Sequence, residues 1–200
     1  MLEKLKAGKP ITIVTMGDSL TDTRHWANRN VAWPALLVEQ LKMKYKSEVT
    51  VVNPAIGGTQ LRQNLVLMPR WLDQTPQPDL VTVFFGGNDW ESGMRGAEFA
   101  AVCTDAVDRI RRATRGHADV LLMTTNPTAE KWETMAELGA ACRRAAQATA
   151  AGLADTEEAF HAAGKDDRNR LYVDDRVHLS AAGHAVVAST VLRAIATAGK

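Results

Sequence analysis

Four short apolar runs, each breaking off into glycine, asparagine or aspartate, constrain this chain more than any other feature. They are Ile11-Thr12-Ile13-Val14-Thr15, Val49-Thr50-Val51-Val52-Asn53, Leu80-Val81-Thr82-Val83-Phe84-Phe85 and Val120-Leu121-Leu122-Met123-Thr124. Runs this short, continuous and rich in β-branched residues suit strands buried on both faces of a parallel sheet. Helical patterns fill the intervals. Trp33 to Leu41 carries Pro34 in its first turn, and Leu61 to Leu72 contains Pro69, which ends or kinks the element. Between Ala97 and Thr114 the residues Phe99, Val102, Cys103, Ala106, Val107 and Ile110 form one apolar stripe at helical spacing. Lys131 to Ala151 reads as a further helix, a short fifth strand falls near Leu153, and Gly164 to Asn169 is a charged loop. The last helix starts after Ser180 as N-cap and runs to the C-terminus. Strands alternating with helices, without a repeat or a low-complexity segment, predict an α/β fold with a parallel sheet of about five strands between two helical layers. Residues 1–200 read as a single domain.

Composition narrows the function. With 24 basic and 23 acidic residues the net charge is +1, too small a field to gather nucleic acid or an anionic membrane. At 46% hydrophobic residues the chain can bury a core without disulfides or a structural metal. Cys103 and Cys142 both fall in helical patterns and lack Cys-x-x-Cys spacing, which makes them reduced core thiols. No apolar stretch reaches the roughly 18 residues that span a bilayer. The head, Met1 to Pro10, has lysines but no apolar signal core, so the chain as given is expected in the cytoplasm.

In an open α/β sheet, ligands bind outside the carboxyl ends of the strands. Three strands here end in polar clusters: Gly17-Asp18-Ser19-Leu20, Asn53 to Gly58, and Gly86-Gly87-Asn88-Asp89. A fourth cluster, Asp175-Arg176-Val177-His178, precedes the last helix. Taken singly, each cluster is a turn, His178 a helix cap, and Asp175 a partner for Arg176 or Arg170. In this order and at these places they resemble the motif blocks of the SGNH (GDSL-type) hydrolases, over residues 13 to 184. The resemblance implies a flavodoxin-like three-layer α/β/α fold, with Ser19 as nucleophile, His178 as general base and Asp175 orienting the imidazole. It further implies an oxyanion hole made by the backbone N–H groups of Ser19 and Gly58 and the side-chain amide of Asn88, with no cofactor and no metal. Those residue types suit those roles. A serine hydroxyl attacks only when a neighbouring base takes its proton, an acid fixes the base's tautomer, and an amide donates without carrying charge. Asp18 is expected to support the turn.

Two other chemistries are weaker. A two-metal phosphoesterase could use Gly17-Asp18…Asp22 and Gly87-Asn88-Asp89, but it lacks Asp-x-His in the first strand and a late histidine cluster. An α/β-hydrolase proper would place its serine in Gly-x-Ser-x-Gly after a later strand. A non-catalytic binding domain of the same fold would not need the full set of catalytic residue types. For the substrate, Trp26, Trp90 and Trp132 follow strands at the site edge and offer a stacking surface, or else pack their own loops. His25, His117 and His161 read as solvated or loop residues rather than a base, with His25 and Trp26 placed where they can line the mouth, and His184 as part of the last helix. With no long apolar lid visible, the reading is a short-chain acyl ester, acetyl foremost, of a carbohydrate or other polar alcohol. Lysophospholipid or thioester hydrolysis is the alternative.

Overall fold

The computed structural model describes residues 1–197. In chain order it runs α1 (Leu2–Lys6), β1 (Ile11–Gly17), α2 (Trp33–Tyr45), β2 (Val49–Val52), α3 (Leu61–Val66), α4 (Pro69–Leu72), β3 (Leu80–Phe84), α5 (Gly87–Glu91), α6 (Gly96–Ala113), β4 (Asp119–Met123), α7 (Ala136–Thr149), β5 (Gly152–Ala154), α8 (Thr156–Ala163) and α9 (Ala181–Thr197). The five strands form one parallel sheet in the order β2-β1-β3-β4-β5.

Alternation along each strand divides the core into two layers. Val14, Met16, Val81, Val83, Val120 and Leu122 face α3, α4, α6 and α7. Their neighbours Ile11, Ile13, Leu80, Phe84, Leu121 and Met123 face α1, α2, α8 and α9. Period-two geometry requires that split, and burial on both sides explains why the β1, β3 and β4 runs are continuously apolar. Strand β2, expected to be buried on both faces, lies at the sheet edge with Thr50 exposed. The α6 stripe enters the first layer as read from the sequence: Phe99, Cys103, Ala106, Val107 and Ile110 are all buried. Each large apolar side chain removed from water in this way contributes about 1.5–3 kcal/mol. Cys103 and Cys142 are buried free thiols.

Several boundaries differ from the sequence reading. The first long helix continues past Leu41 to Tyr45 and stops where Lys46 turns left-handed, at φ 58°. Pro69 divides the 61–72 segment into α3 and α4. The helix expected from Lys131 begins only at Ala136. Upstream of it residues 132–135 form a turn, and the Trp132 ring lies against Gly164, in space that a Cβ would fill. Helix α8, unassigned in the sequence reading, starts at an Asp155 N-cap that accepts a hydrogen bond from the Glu158 N–H. His161, read as solvated, lies on it with its ring edge-on to Trp132 at 4.9 Å. Ser180 caps α9 by accepting from the Gly183 N–H; the last three residues of that predicted helix, 198–200, lie outside the described residues.

The topology decides where a site can form. From β1 the chain moves to β2 on one side, then crosses back to lay β3 on the other, so the connections after β1 and β3 leave the sheet in opposite senses. The crevice between their carboxyl ends is the switch point at which open sheets of this order bind ligands. Gly17, the last residue of β1, is in register with Phe84, the last of β3. The turns bearing Ser19 and Asn88 therefore start level with each other on either side of that crevice.

Candidate active site

The Ser19 turn is held by the residue before it. The Asp18 carbonyl accepts from the Thr21 and Asp22 N–H groups, and Asp18 Oδ1 accepts from the Leu20 N–H at 3.0 Å. The Ser19 carbonyl accepts from Asn28 Nδ2 at 2.6 Å. The Ser19 N–H has no hydrogen-bond partner among the described residues.

Asp175 and His178 come from a tight hairpin closed by the Tyr172–Leu179 bridge and by the Val173 N–H donating to the His178 carbonyl. Arg176 at its tip is left-handed, with φ 59°. Asp175 grips this turn at three points: Oδ1 accepts from the Val177 and His178 N–H groups, each at 2.9 Å, and Oδ2 lies 2.6 Å from His178 Nδ1. Partial burial pushes the Asp175 carboxyl up, but the bonds from the His178 ring and the two backbone N–H groups outweigh it and hold the carboxyl below its usual range. With Nδ1 protonated toward Asp175, Nε2 is left as acceptor, and it lies 3.0 Å from Ser19 Oγ. The alternative ion pairs for Asp175 do not form: the Arg176 guanidinium sits 4.0 Å from Glu130, and Arg170 donates to the Ala163 carbonyl.

The other two turns meet beside Ser19. Asn88 Nδ2 donates to Asp18 Oδ2 at 3.2 Å and to the Thr59 carbonyl at 3.1 Å, joining the ends of β1 and β3 to the Gly57–Thr59 loop. Asp89 accepts from the Leu61 N–H at the start of α3, which draws the same loop toward Asn88. Both carboxyls are buried. Burial raises Asp18 to about 7, assisted by the nearby Asp89 charge and opposed by the bonds from Leu20 and Asn88. Burial likewise raises Asp89 to about 6, and its Oδ2 has no partner. Gly86, at φ 137°, lies where a Cβ would overlap the Thr125 side chain, so only glycine lets β3 turn into α5 there.

Gly57 and Gly58 are distinguishable. The Gly57 N–H donates to Asp22 Oδ2 at 3.2 Å. Gly58 is left-handed at φ 75°, and its N–H has no partner among the described residues. A cleft of about 250 Å³ opens from Asp18, Ser19 and Asn88, with Leu20, Phe85, Met135 and Val177 as its apolar wall.

The three tryptophans lie in different settings. Trp26 is 55% exposed, and its ring meets His178 edge-on at 5.9 Å. Trp90 packs on the core, with the Arg95 guanidinium 3.9 Å from its ring centre. Trp132 is held between His161 and Gly164; Lys131 and Met135 from its segment line the cleft, and Trp132 does not. Among the described residues no group of three or more His, Cys, Asp or Glu side chains is placed to hold a metal ion, and no helix is long and apolar enough to cross a membrane.

Strand order, the serine turn and the Asp-x-x-His hairpin define a hydrolase of the GDSL type. The chain belongs to the GDSL-like lipase/acylhydrolase family, whose model matches residues 15–186, and it is a carboxylic ester hydrolase. It is 27% identical to an acetylxylan esterase of Geobacillus stearothermophilus over 217 aligned positions, covering 96% of each chain. The crystal structure of that esterase superposes with a TM-score of 0.75 at 26% identity, over 95% of this chain and 96% of the other. A GDSL-like lipase structure from Parabacteroides merdae shares the fold with a TM-score of 0.76 at 20% identity, over 94% and 96% of the two chains.

The sequence reading missed the support behind Ser19. Asn28, which holds the Ser19 and Asp22 carbonyls, is itself held by His184 of α9: His184 Nε2 donates to Asn28 Oδ1 at 3.1 Å while Nδ1 accepts from the Trp33 N–H. Burial lowers His184 from 6.5 to about 4. Between those values the unfolded chain binds the proton and the folded one does not, so the stability from the neutral ring is complete above about pH 6.5 and lost as the pH falls toward 4. Urea unfolding at pH 7 and pH 5 should show wild type losing about 2 kcal/mol more than His184→Gln over that interval. Equal losses would place the proton uptake elsewhere.

Proposed function

We propose that this esterase removes short acyl groups, acetyl foremost, from a carbohydrate or similar polar alcohol through an acyl-enzyme on Ser19. The observation that carries the proposal is the line Asp175 Oδ2, His178 Nδ1, His178 Nε2, Ser19 Oγ, at 2.6 and 3.0 Å, next to two unengaged backbone N–H groups. His178 takes the Ser19 proton as Oγ bonds to the ester carbonyl carbon, and Asp175 stabilises the imidazolium. The oxyanion lies against the N–H groups of Ser19 and Gly58 and the amide of Asn88, whose bond to Asp18 is the one the oxyanion takes over. Collapse breaks the ester C–O bond, and the alcohol leaves with the proton from His178. Water, deprotonated by His178, then attacks the acyl carbon, releasing the carboxylic acid and restoring Ser19.

The acetyl group and the sugar are suggested by the acetylxylan esterase relative, and Trp26 supplies an exposed ring beside His178, where the alcohol departs. Trp90 and Trp132 serve the substrate only indirectly, by holding the loops that carry Asn88 and Lys131. A longer acyl group, as a lysophospholipase or thioesterase would accept, is favoured by one feature, the apolar wall of the cleft.

A fluorophosphonate should label wild type once and Ser19→Ala not at all, with EDTA leaving turnover unchanged; equal labelling of both proteins would end the assignment. Asn88→Ala should lower kcat by about 10² to 10³ with little change in KM. A folded variant keeping a third of wild-type kcat would give the donor role to another group.

Acyl length separates the two substrates. If the wall accepts a chain, each added CH₂ gains up to about 0.8 kcal/mol and kcat/KM climbs. We expect kcat/KM on p-nitrophenyl esters to peak at acetyl or propionyl and fall by octanoyl, with Trp26→Ala raising KM for an acetylated sugar far more than for p-nitrophenyl acetate. Rates rising through decanoyl, with no acetate released from any sugar ester, would favour the longer-chain reading.

A further inference from the structure

One titratable ring at the site has no part in the mechanism above. His25, in the loop after the Ser19 turn, stacks on the ring of His178 with centroids 4.2 Å apart and planes inclined by 27°. The two residues are 153 positions apart in the chain, so this contact is tertiary. His25 also borders the Gly57 backbone, where an added Cβ would stand 3.7 Å from His25 Cδ2 and 3.6 Å from Ser19 Cβ. The ring therefore touches both the Gly57 backbone and the face of the imidazole. Trp26 meets both rings, tilted against His25 at 5.5 Å and edge-on to His178 at 5.9 Å.

We infer that His25 is a positioning residue for the general base: its stacked ring fixes the plane of His178 so that Nε2 stays aimed at Ser19 Oγ, and it shields the imidazolium that forms when the serine proton is taken. The inference rests on the triad reading of Ser19, Asp175 and His178. Asp175 fixes one edge of the imidazole but leaves rotation about the line through Nδ1 to be restrained from a face, and His25 supplies that restraint. The charge produced on His178 then lies against an aromatic face, the side of a ring that attracts cations.

For this to help, His25 must stay uncharged while His178 is protonated. Its surroundings act in that direction: partial burial lowers its proton affinity first, followed by the charge on His178, with Arg29 adding a smaller push and the carboxylates of Asp22 and Asp175 opposing. Its Nδ1 already accepts from the Ala27 N–H at 3.4 Å, as the cap of the 3₁₀ turn Trp26–Asn28, which places the proton of the neutral ring on Nε2.

That cap is also the competing role, and two substitutions separate the roles. His25→Asn keeps a side-chain acceptor for the Ala27 N–H and removes the ring; His25→Phe keeps the ring and removes the acceptor. A general base contributes about 10² to 10⁴ in rate and small misplacements forfeit part of that. On p-nitrophenyl acetate, His25→Asn should therefore lose about tenfold in kcat with KM within about twofold, and His25→Phe should stay within about threefold of wild type in both. The reverse pattern, full activity in Asn and loss in Phe, would make His25 a cap and overturn the inference. Equal losses in both variants, no loss in either, or failure of either to fold in a thermal melt would overturn it too. Ser19→Ala, assayed alongside, keeps the two readings apart: if it retains turnover, the triad reading itself fails, whereas if it is inactive and His25→Asn is not impaired, only the role of His25 falls.

Discussion

The pairing of β1 with β3 is the constraint from which the site follows. Because β2 lies on the far side of β1, the connection after β2 must cross to reach β3, and the crossing opens a crevice that no connection fills. Level strand ends at Gly17 and Phe84 then bring two turns together whose polar residues would otherwise point into solvent. The bond from Asn88 to Asp18 closes that gap, and the bond from Asn88 to the Thr59 carbonyl ties in the third loop. A shift of one residue in this register would displace Asp18 relative to Asn88 by about 3.3 Å and break the bond between them, since each strand residue advances the chain by that much.

Bringing these turns together places two carboxyls under cover. Asp18 and Asp89 are both raised by burial, to about 7 and about 6, so each takes up a proton at a higher pH than a surface carboxylate does. A buried carboxylate without a cation costs folding energy unless N–H donors surround it. Asp18 has such donors in Leu20 and Asn88, and Asp89 has Leu61 for one oxygen only. The site thus spends some stability on holding its loops with acids rather than with apolar contacts, and the two closely packed core layers around the sheet supply the margin.

What was legible in the sequence and what was not divides by the range of the interaction. Strands β1, β3 and β4 can be read because burial on both faces makes their residues apolar with little interruption. Strand β2 can be read because its residues are β-branched, although Thr50 is exposed at the sheet edge, and the fifth, Gly152–Ala154, is barely visible because three residues carry little pattern. The meeting of the clusters at Ser19, Asn88 and His178 is legible because the sheet restricts where strand ends fall. Helix α8 was hidden because its eight residues follow directly on a three-residue strand, and its Asp155 cap reads locally as part of a polar loop. Trp132 was assigned to a helix and to the substrate edge on local pattern, while its position depends on Gly164, 32 residues later. Nothing near Asn28 or His25 announces a partner at His184 or His178, because each contact spans more than 150 residues and Asn28 and His25 lie in a segment without a periodic pattern.

The hairpin that carries Asp175 and His178 makes the acid and base of the proposed mechanism a single mechanical part. Three bonds from one carboxylate fix both the backbone of this turn and the tilt of the imidazole, so the pair is assembled from neighbours in sequence, without help from the sheet. Only one distance in the proposed catalytic line, from His178 to Ser19, depends on how two remote parts of the chain are docked. On the proposed mechanism, alignment therefore reduces to the seating of one prefabricated loop on the sheet edge. Variation in the rest of that edge can reshape the cleft while leaving the contacts among Asp175, His178 and Ser19 intact.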